Sequence, residues 1–296
     1  MKYVITGSLG NISKPLTEKL VKAGHQVTVI SSKADKAEAI KALGAIPAIG
    51  SVEDEAFLHQ TFLGADAVYT MVPPNFGASD WKGYIGSIGA LYAKAIKSSG
   101  VKKVVNLSSI GAHMPEGCGP VSGLYRVEQA LDQLEGVDVL HLRPGFFYLN
   151  YLGNVGMVKN MNILGSNYSA DVNMALVDTG DIAQEAFEAL NKSNFTGKSV
   201  HYVVSDVRKA SEVAQVLGSA VEKPQLPWVA FKDEDAFGAM VGMGLSQEVA
   251  KNYVEMGQAI QSGAMQSDFV KHSDLKLSPT KLENFAGLFA GVYKQN

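Results

Sequence analysis

Met1-Lys2-Tyr3-Val4-Ile5-Thr6-Gly7-Ser8-Leu9-Gly10-Asn11-Ile12-Ser13 is the stretch from which the fold is read. Residues 2–6 form a short run of β-formers. Behind the glycines comes a helical pattern carried by Leu16 and Leu20 and stopped at Gly24. A second apolar run, residues 26–30, follows at once. Strand, glycine loop, helix and strand make one βαβ unit, and in that setting the glycines take on a purpose. Gly7 permits a tight turn. Gly10 lets a pyrophosphate approach the backbone where a Cβ would obstruct it. The helix start behind them offers free N–H groups and a partial positive charge to phosphates. The third glycine of the usual fingerprint is replaced by Ser13, which is small enough for close helix–strand packing. Pro15 falls near the first helical turn, where its missing N–H costs little. The loop predicts a dinucleotide held by Gly7, Ser8, Leu9, Gly10, Asn11 and Ile12; the alternative is a plain structural turn.

The same alternation continues outward. A helix is expected over 34–43, a third strand in Ala-Ile-Pro-Ala-Ile (45–49), and a fourth in 65–72, halted by Pro73 and Pro74. A long helix over 80–98 leads to a fifth strand in Val-Lys-Lys-Val-Val-Asn-Leu (101–107), and a helix over 122–134 leads to a sixth near 137–143. Continuous apolar strands joined by helices predict an α/β fold: a doubly wound parallel Rossmann-type sheet covered on both faces. After about residue 150 the rhythm changes. Residues 154–169 read as loop, 171–190 as strand, turn and helix capped near Thr179 or Asp181, and 197–223 as another strand–helix unit. Residues 225–231 read as extended, and 233–260 and 279–292 as helical. The expected division is a dinucleotide-binding domain over 1–150 and a smaller substrate lobe over 151–296, with strands returning to the core. The lobe should lie over the C-terminal edge of the sheet, where such folds bind ligands.

Composition narrows the class. The chain has 296 residues, 46% of them hydrophobic, and a net charge of −3. No apolar run approaches the roughly 18 residues of a membrane span, and the opening strand does not read as a signal peptide. Cys118 is the single cysteine, so no internal disulfide is possible. A soluble cytoplasmic protein is expected. Mild acidity argues against a dedicated nucleic-acid partner.

Cofactor choice is read at the end of the second strand. An NAD site places Asp or Glu there for the ribose 2′-hydroxyl. Here stand Ser31, Ser32 and Lys33, two hydroxyls and an ammonium suited to a 2′-phosphate. NADP(H) is favoured, with NAD(H) or an ordinary polar loop as the alternatives.

Taken in order, the motifs resemble the NmrA-like branch of the atypical short-chain dehydrogenases. Its carriers are Thr6 to Ile12, Val72-Pro73-Pro74-Asn75, Asn106-Leu107-Ser108-Ser109, Leu142-Arg143-Pro144-Gly145-Phe146-Phe147, Asn150, Val177 to Ala183, and Ser278-Pro279-Thr280 with Leu282 and Phe285. The resemblance implies a Rossmann domain with a substrate lobe. It places Val72 and Pro73 beside the adenosine and ribose, and Ser108 near the nicotinamide ribose. Pro144, Gly145 and Phe146 would border the nicotinamide. It suggests Arg143 and Asp181 as a structural ion pair. Phe146 and Phe147 read equally well as core. The family includes quinone and other NADPH-dependent reductases and sensors without turnover.

The catalytic pattern departs from the wider short-chain dehydrogenases. These place a lysine four residues after a tyrosine, one turn on, where its charge lowers the phenol pKa. The corresponding run is Tyr125-Arg126-Val127-Glu128-Gln129, and no lysine occurs between Lys103 and Lys159. Tyr125 is the candidate acid, without its usual activating cation; a pocket or surface role is the alternative. Hydride transfer to an acceptor that takes its proton from solvent needs such an acid least. The expectation is therefore an NAD(P)H-dependent oxidoreductase for a small apolar, quinone-like or carbonyl acceptor. The alternative is a non-catalytic redox sensor with a protein partner. The six histidines show no metal-ligand spacing, and no metal is expected. Met240, Met243, Met256 and Met265 read as flexible core or as a mobile apolar lid.

Overall fold

A computed structural model describes residues 1–272 and 276–295. The first half alternates as expected: β1 (Lys2–Ile5), α1 (Ser13–Lys22), β2 (Gln26–Ser31), α2 (Ala37–Ala42), β3 (Ile46–Ile49), α3 (Glu55–Phe62) and β4 (Ala67–Thr70). It continues with α4 (Trp81–Ser99), β5 (Lys103–Leu107), α5 (Val121–Asp132) and β6 (Asp138–Pro144). The second half holds β7 (Phe146–Phe147), α6 (Val155–Met161), β8 (Leu164–Ser166), β9 (Asn173–Val177), α7 (Thr179–Lys192) and β10 (Lys198–Val203). It ends with β11 (Asp206–Lys209), α8 (Ala210–Ala220), β12 (Trp228–Ala230), α9 (Asp233–Gly242), α10 (Gln247–Gln261) and α11 (Leu282–Gln295).

Seven strands form one parallel sheet in the order β10-β6-β5-β4-β1-β2-β3. Successive residues of a strand point to opposite faces, and here both faces are apolar. Tyr3, Ile5, Tyr69 and Val105 meet Leu16 and Leu20 of α1 and Ile182 and Ala186 of α7. Val4, Val68 and Val104 meet Leu58, Ile88, Tyr92 and Val127 of α3, α4 and α5. This two-sided burial is the reason the strands read as unbroken apolar runs. Helix α5 lies very close to α4: a Cβ on Gly89 would come 2.7 Å from Val127 Cα. A third core joins α6, α8 and α11 to the small sheets β11-β9-β7 and β12-β8.

The differences from the sequence reading have local causes. The stretch 154–169 holds α6 and β8, because Val155, Val158 and Leu164 find buried partners that the scattered Gly and Asn concealed. The helical region 233–260 breaks at Gly244, whose φ is 92°, and restarts where Ser246 Oγ accepts from Val249 N–H. The cap of α7 is Asp178, one residue before the expected pair. Asp181 turns inward instead.

Candidate functional site: a dinucleotide cradle beside an apolar crevice

The strand order reverses between β1 and β4, and ligands of such sheets sit at this switch point. Thr6 joins the two strands there: its N–H donates to Tyr69 O at 3.1 Å, and its Oγ1 accepts from Met71 N–H at 2.8 Å. Gly7 then turns at φ 87° and Ser8 at φ 54°. A Cβ on Gly7 would meet Ser13 Oγ at 2.5 Å and Met71 Cγ at 2.9 Å, so only glycine fits. Ser13 Oγ donates to Thr6 O at 2.8 Å and ties helix to strand, which is how serine serves where a third glycine is usual. Gly10 is exposed, and a Cβ on it would lie 3.1 Å from Gly7 O. Helix α1 has no side-chain cap and no acidic residue in its first turn, whereas α3, α4 and α10 are capped by Asp54, Asp80 and Ser246. An uncapped, uncharged helix start behind a glycine turn fits a pyrophosphate.

Ser31, at the end of β2, is buried: its Oγ accepts from Ser8 Oγ at 2.9 Å and from Lys33 N–H at 3.2 Å. It shapes the turn. Ser32 and Lys33 are exposed beside it, and among the described residues no ion pair engages Lys33 or Lys36. Lys36 is a further cation there that the sequence reading passed over. Val72 and Pro73 follow β4 and are half-buried.

Ser108, 4% exposed, follows β5 and donates to Glu128 Oε1 at 2.5 Å. The same carboxylate takes a two-pronged contact from Arg143, Nη2 to Oε2 at 2.6 Å and Nε to Oε1 at 3.0 Å. Arg143 Nη1 also reaches Asp268 Oδ2 at 3.1 Å and Tyr202 Oη at 3.1 Å. Burial opposes the guanidinium's charge, but Glu128 and Tyr202 together outweigh it and hold the Arg143 pKa above its ordinary value. The hydrogen bond from Tyr202 holds the Asp268 carboxyl below the usual range. Arg143 and Asp181 are therefore not a pair. Asp181 instead accepts from Ser205 Oγ at 2.7 Å and from Thr280 N–H at 3.1 Å and Oγ1 at 2.9 Å. Glu128, Tyr202 and Asp268 were missed. One signal was available: Glu128 falls on the face of α5 that also carries Val121, Leu124 and Leu131, an apolar stripe with one carboxylate in it.

Tyr125 is half-buried, and among the described residues no hydrogen bond reaches its phenol. Gln129 is exposed, and Arg126 turns to Glu116 at 2.7 Å. Among the described residues no hydrogen bond or cation–π contact brings a cation to Tyr125 in place of the absent lysine.

Pro144 and Gly145 are buried at the end of β6. A Cβ on Gly145 would come 2.5 Å from Ala175 O, so the backbone of β9 already requires glycine there. Phe146 packs on Tyr151 with ring centroids 5.3 Å apart and planes tilted by 56°, and lines an apolar crevice with Ile110, Met174, Ala175, Ile260, Met265 and Gln266. The crevice encloses ≈ 10 Å³, about the room of one water. Cys118 is fully buried, and burial pushes its thiol up to about 12, so it is no nucleophile. Among the described residues, no group of three or more His, Cys, Asp or Glu is placed to hold a metal, and no helix is long and apolar enough to cross a membrane.

A family model described as NAD(P)H-binding matches residues 7–163, more than half of the chain. The chain belongs to the NAD(P)H-binding family. The glycine cradle lies within the matched residues, and NAD(P)H is the cofactor that the family binds. A comparison with curated proteins finds no match. Solved structures share the fold over nearly the whole length. The NADPH-dependent quinone oxidoreductase of Escherichia coli, solved with NADPH, is 20% identical, with TM-score 0.82 over 97% of this chain and 99% of that one. The triphenylmethane reductase of Citrobacter sp., solved with NADP(H), is 19% identical, with TM-score 0.80 over 97% and 99%. A nucleoside-diphosphate-sugar epimerase of Staphylococcus aureus is 14% identical, with TM-score 0.77 over 97% and 100%. The NmrA-like resemblance read from the motifs agrees with this family and fold.

Proposed function

We propose that this member of the NAD(P)H-binding family is an NADPH-dependent cytoplasmic oxidoreductase that reduces a small apolar, quinone-like acceptor. The observation that carries the reading is an apolar crevice whose Ile110 and Phe146 follow the C-terminal ends of β5 and β6, two strands of the sheet that holds the glycine cradle. Residues 1–150 supply the cradle and 151–296 supply most of the crevice. Gly7, Ser8, Leu9, Gly10, Asn11 and Ile12 hold the pyrophosphate. Val72 and Pro73 flank the adenosine ribose, and Pro144, Gly145 and Phe146 border the nicotinamide. Ser108 orients the nearby ribose while Glu128 fixes its hydroxyl. Bound NADPH supplies a hydride. The protein's part is to align the acceptor and exclude water around it. A quinone gains that hydride and one proton from solvent and becomes the hydroquinone.

Two predictions arise here. With Ser32 and Lys33 receiving the 2′-phosphate, NADPH binds more tightly than NADH, and high salt narrows the gap. Lys33→Asp should reverse the preference by like-charge repulsion. Equal affinities for the two dinucleotides in the parent protein would reduce this turn to ordinary surface. The second concerns Tyr125. Tyr125→Phe should lower quinone reduction by less than the roughly 100-fold typical of a lost general acid, and alcohol oxidation with NADP should be absent. A larger loss with binding intact would make Tyr125 the acid after all.

Steady-state NADPH oxidation over a panel of quinones tests the proposal. Tight NADPH binding without turnover on any quinone or carbonyl would move the reading to a redox sensor. The unpartnered phenol of Tyr125 and the exposed Gln129 favour that second reading.

A further inference from the structure

Five residues past α10 the chain is held on the body by three consecutive side chains. The first is Gln266. Strand β7 is only two residues long, pairing Phe146 with Leu176 and Phe147 with Val177, and it leaves the earlier part of that edge of β9 unpaired. The amide of Gln266 fills the gap like a fragment of strand: its Oε1 accepts from Ala175 N–H at 2.8 Å, and its Nε2 donates to Asn173 O at 2.5 Å. Next, Ser267 Oγ bonds His113 Nε2 at 3.0 Å, on the loop that follows β5. Then Asp268 Oδ2 takes Arg143 Nη1 at 3.1 Å and Tyr202 Oη at 2.5 Å. The residue before these anchors is Met265, 4% exposed, in the crevice with Ile110, Phe146, Met174, Ala175 and Ile260. A Cβ on Gly111 would meet Met265 Cγ at 2.8 Å, so this side chain reaches to the β5 loop.

We propose that Met265 is the specificity-determining residue of the acceptor site, a plug that fills the crevice and sets the bulk of acceptor it admits. The inference rests on the oxidoreductase reading above. Methionine suits the role because an unbranched thioether with three rotatable bonds changes shape cheaply. The three anchors that follow Met265 on the chain give the swing a fixed origin, so an acceptor displaces a side chain rather than the segment. Replacing Met265 by alanine removes Cγ, Sδ and Cε and leaves an apolar space three heavy atoms deep.

The experiment compares the parent with Met265→Ala and Met265→Leu, using 1,4-benzoquinone and the two-ring menadione. In Met265→Ala, kcat/KM for menadione relative to benzoquinone should rise about tenfold, the discrimination that one or two methylenes carry. The KM for NADPH should stay unchanged, and Met265→Leu should return the ratio to the parent value. An unchanged ratio in a folded Met265→Ala, or a KM for NADPH that moves with it, overturns the inference. Calorimetric titration of menadione gives a readout that needs no turnover. Tighter binding to Met265→Ala than to the parent, with no turnover in either, keeps the plug and discards the oxidoreductase reading. Equal binding, or none to either protein, discards the plug.

Discussion

Glu128→Ala is expected to destabilise the fold by about 3–5 kcal/mol at pH 7, the loss typical of breaking a buried ion pair by removing one partner. Glu128 is 3% exposed and Arg143 is 7% exposed. Without the carboxylate, the guanidinium keeps only Asp268 and Tyr202, on its far side, and Ser108 loses the acceptor of its hydroxyl. The cost is that of a buried guanidinium left with one of its two carboxylates and a buried hydroxyl left without its acceptor. A paired replacement therefore recovers most of it: Glu128→Met with Arg143→Met puts apolar side chains of similar length in place of both ions. Urea melts of the parent, the single variants and the double variant measure the effect. A single-variant loss below about 1 kcal/mol would class the pair with surface salt bridges, and the role assigned to it at Ser108 would fall with it.

Gly10→Val is expected to weaken dinucleotide binding at least tenfold, about 1.4 kcal/mol, while the fold survives. Gly10 is exposed at the mouth of the cradle, and its Cβ position lies 3.1 Å from Gly7 O. A branched side chain there stands where the pyrophosphate must approach the uncapped start of α1. Gly7 makes a poor alternative test, because its Cβ would collide with Ser13 and Met71 and unsettle the turn itself. Calorimetry with NADPH reads the effect. Unchanged affinity in the folded variant would remove the cradle from the binding site.

The parallel sheet was legible because its inner strands are buried on both faces, and the glycine loop because its position between strand and helix gives Gly7 and Gly10 a reason. The sites of long-range pairing were not legible. Arg143 was expected to meet Asp181, yet its partner Glu128 lies fifteen residues earlier, on a helix whose orientation depends on Gly89 and Val127 fitting together. His141 was one of six scattered histidines. In the fold its Nδ1 meets Asn106 Nδ2 at 3.0 Å and its Nε2 meets Asp132 Oδ1 at 3.0 Å. The amide of Asn106 is turned by Thr70, whose hydroxyl donates to its Oδ1 at 2.9 Å. No spacing in the sequence announces a relay across three strands and a helix. Gln266 is harder still, because its partner is the bare edge of a strand, which exists only once β7 is seen to be two residues long.

The bonds around Asp181 carry a consequence for synthesis. The residues of the turn, Thr6, Gly7, Ser31 and Met71, have all been made once residue 71 is added. Asp181 waits for Thr280, Val204 O waits for Ser278 N–H, and Ser205 O waits for the ammonium of Lys281. At roughly 5–20 residues per second, the roughly 210 residues between Thr70 and Thr280 take on the order of 10–40 s to appear. For that interval the partners of Asp181 and Ser205 beyond residue 277 are still missing, and β6 lacks its neighbour until β10 has been made. The residues of the glycine turn are made first and the clasp on Asp181 last.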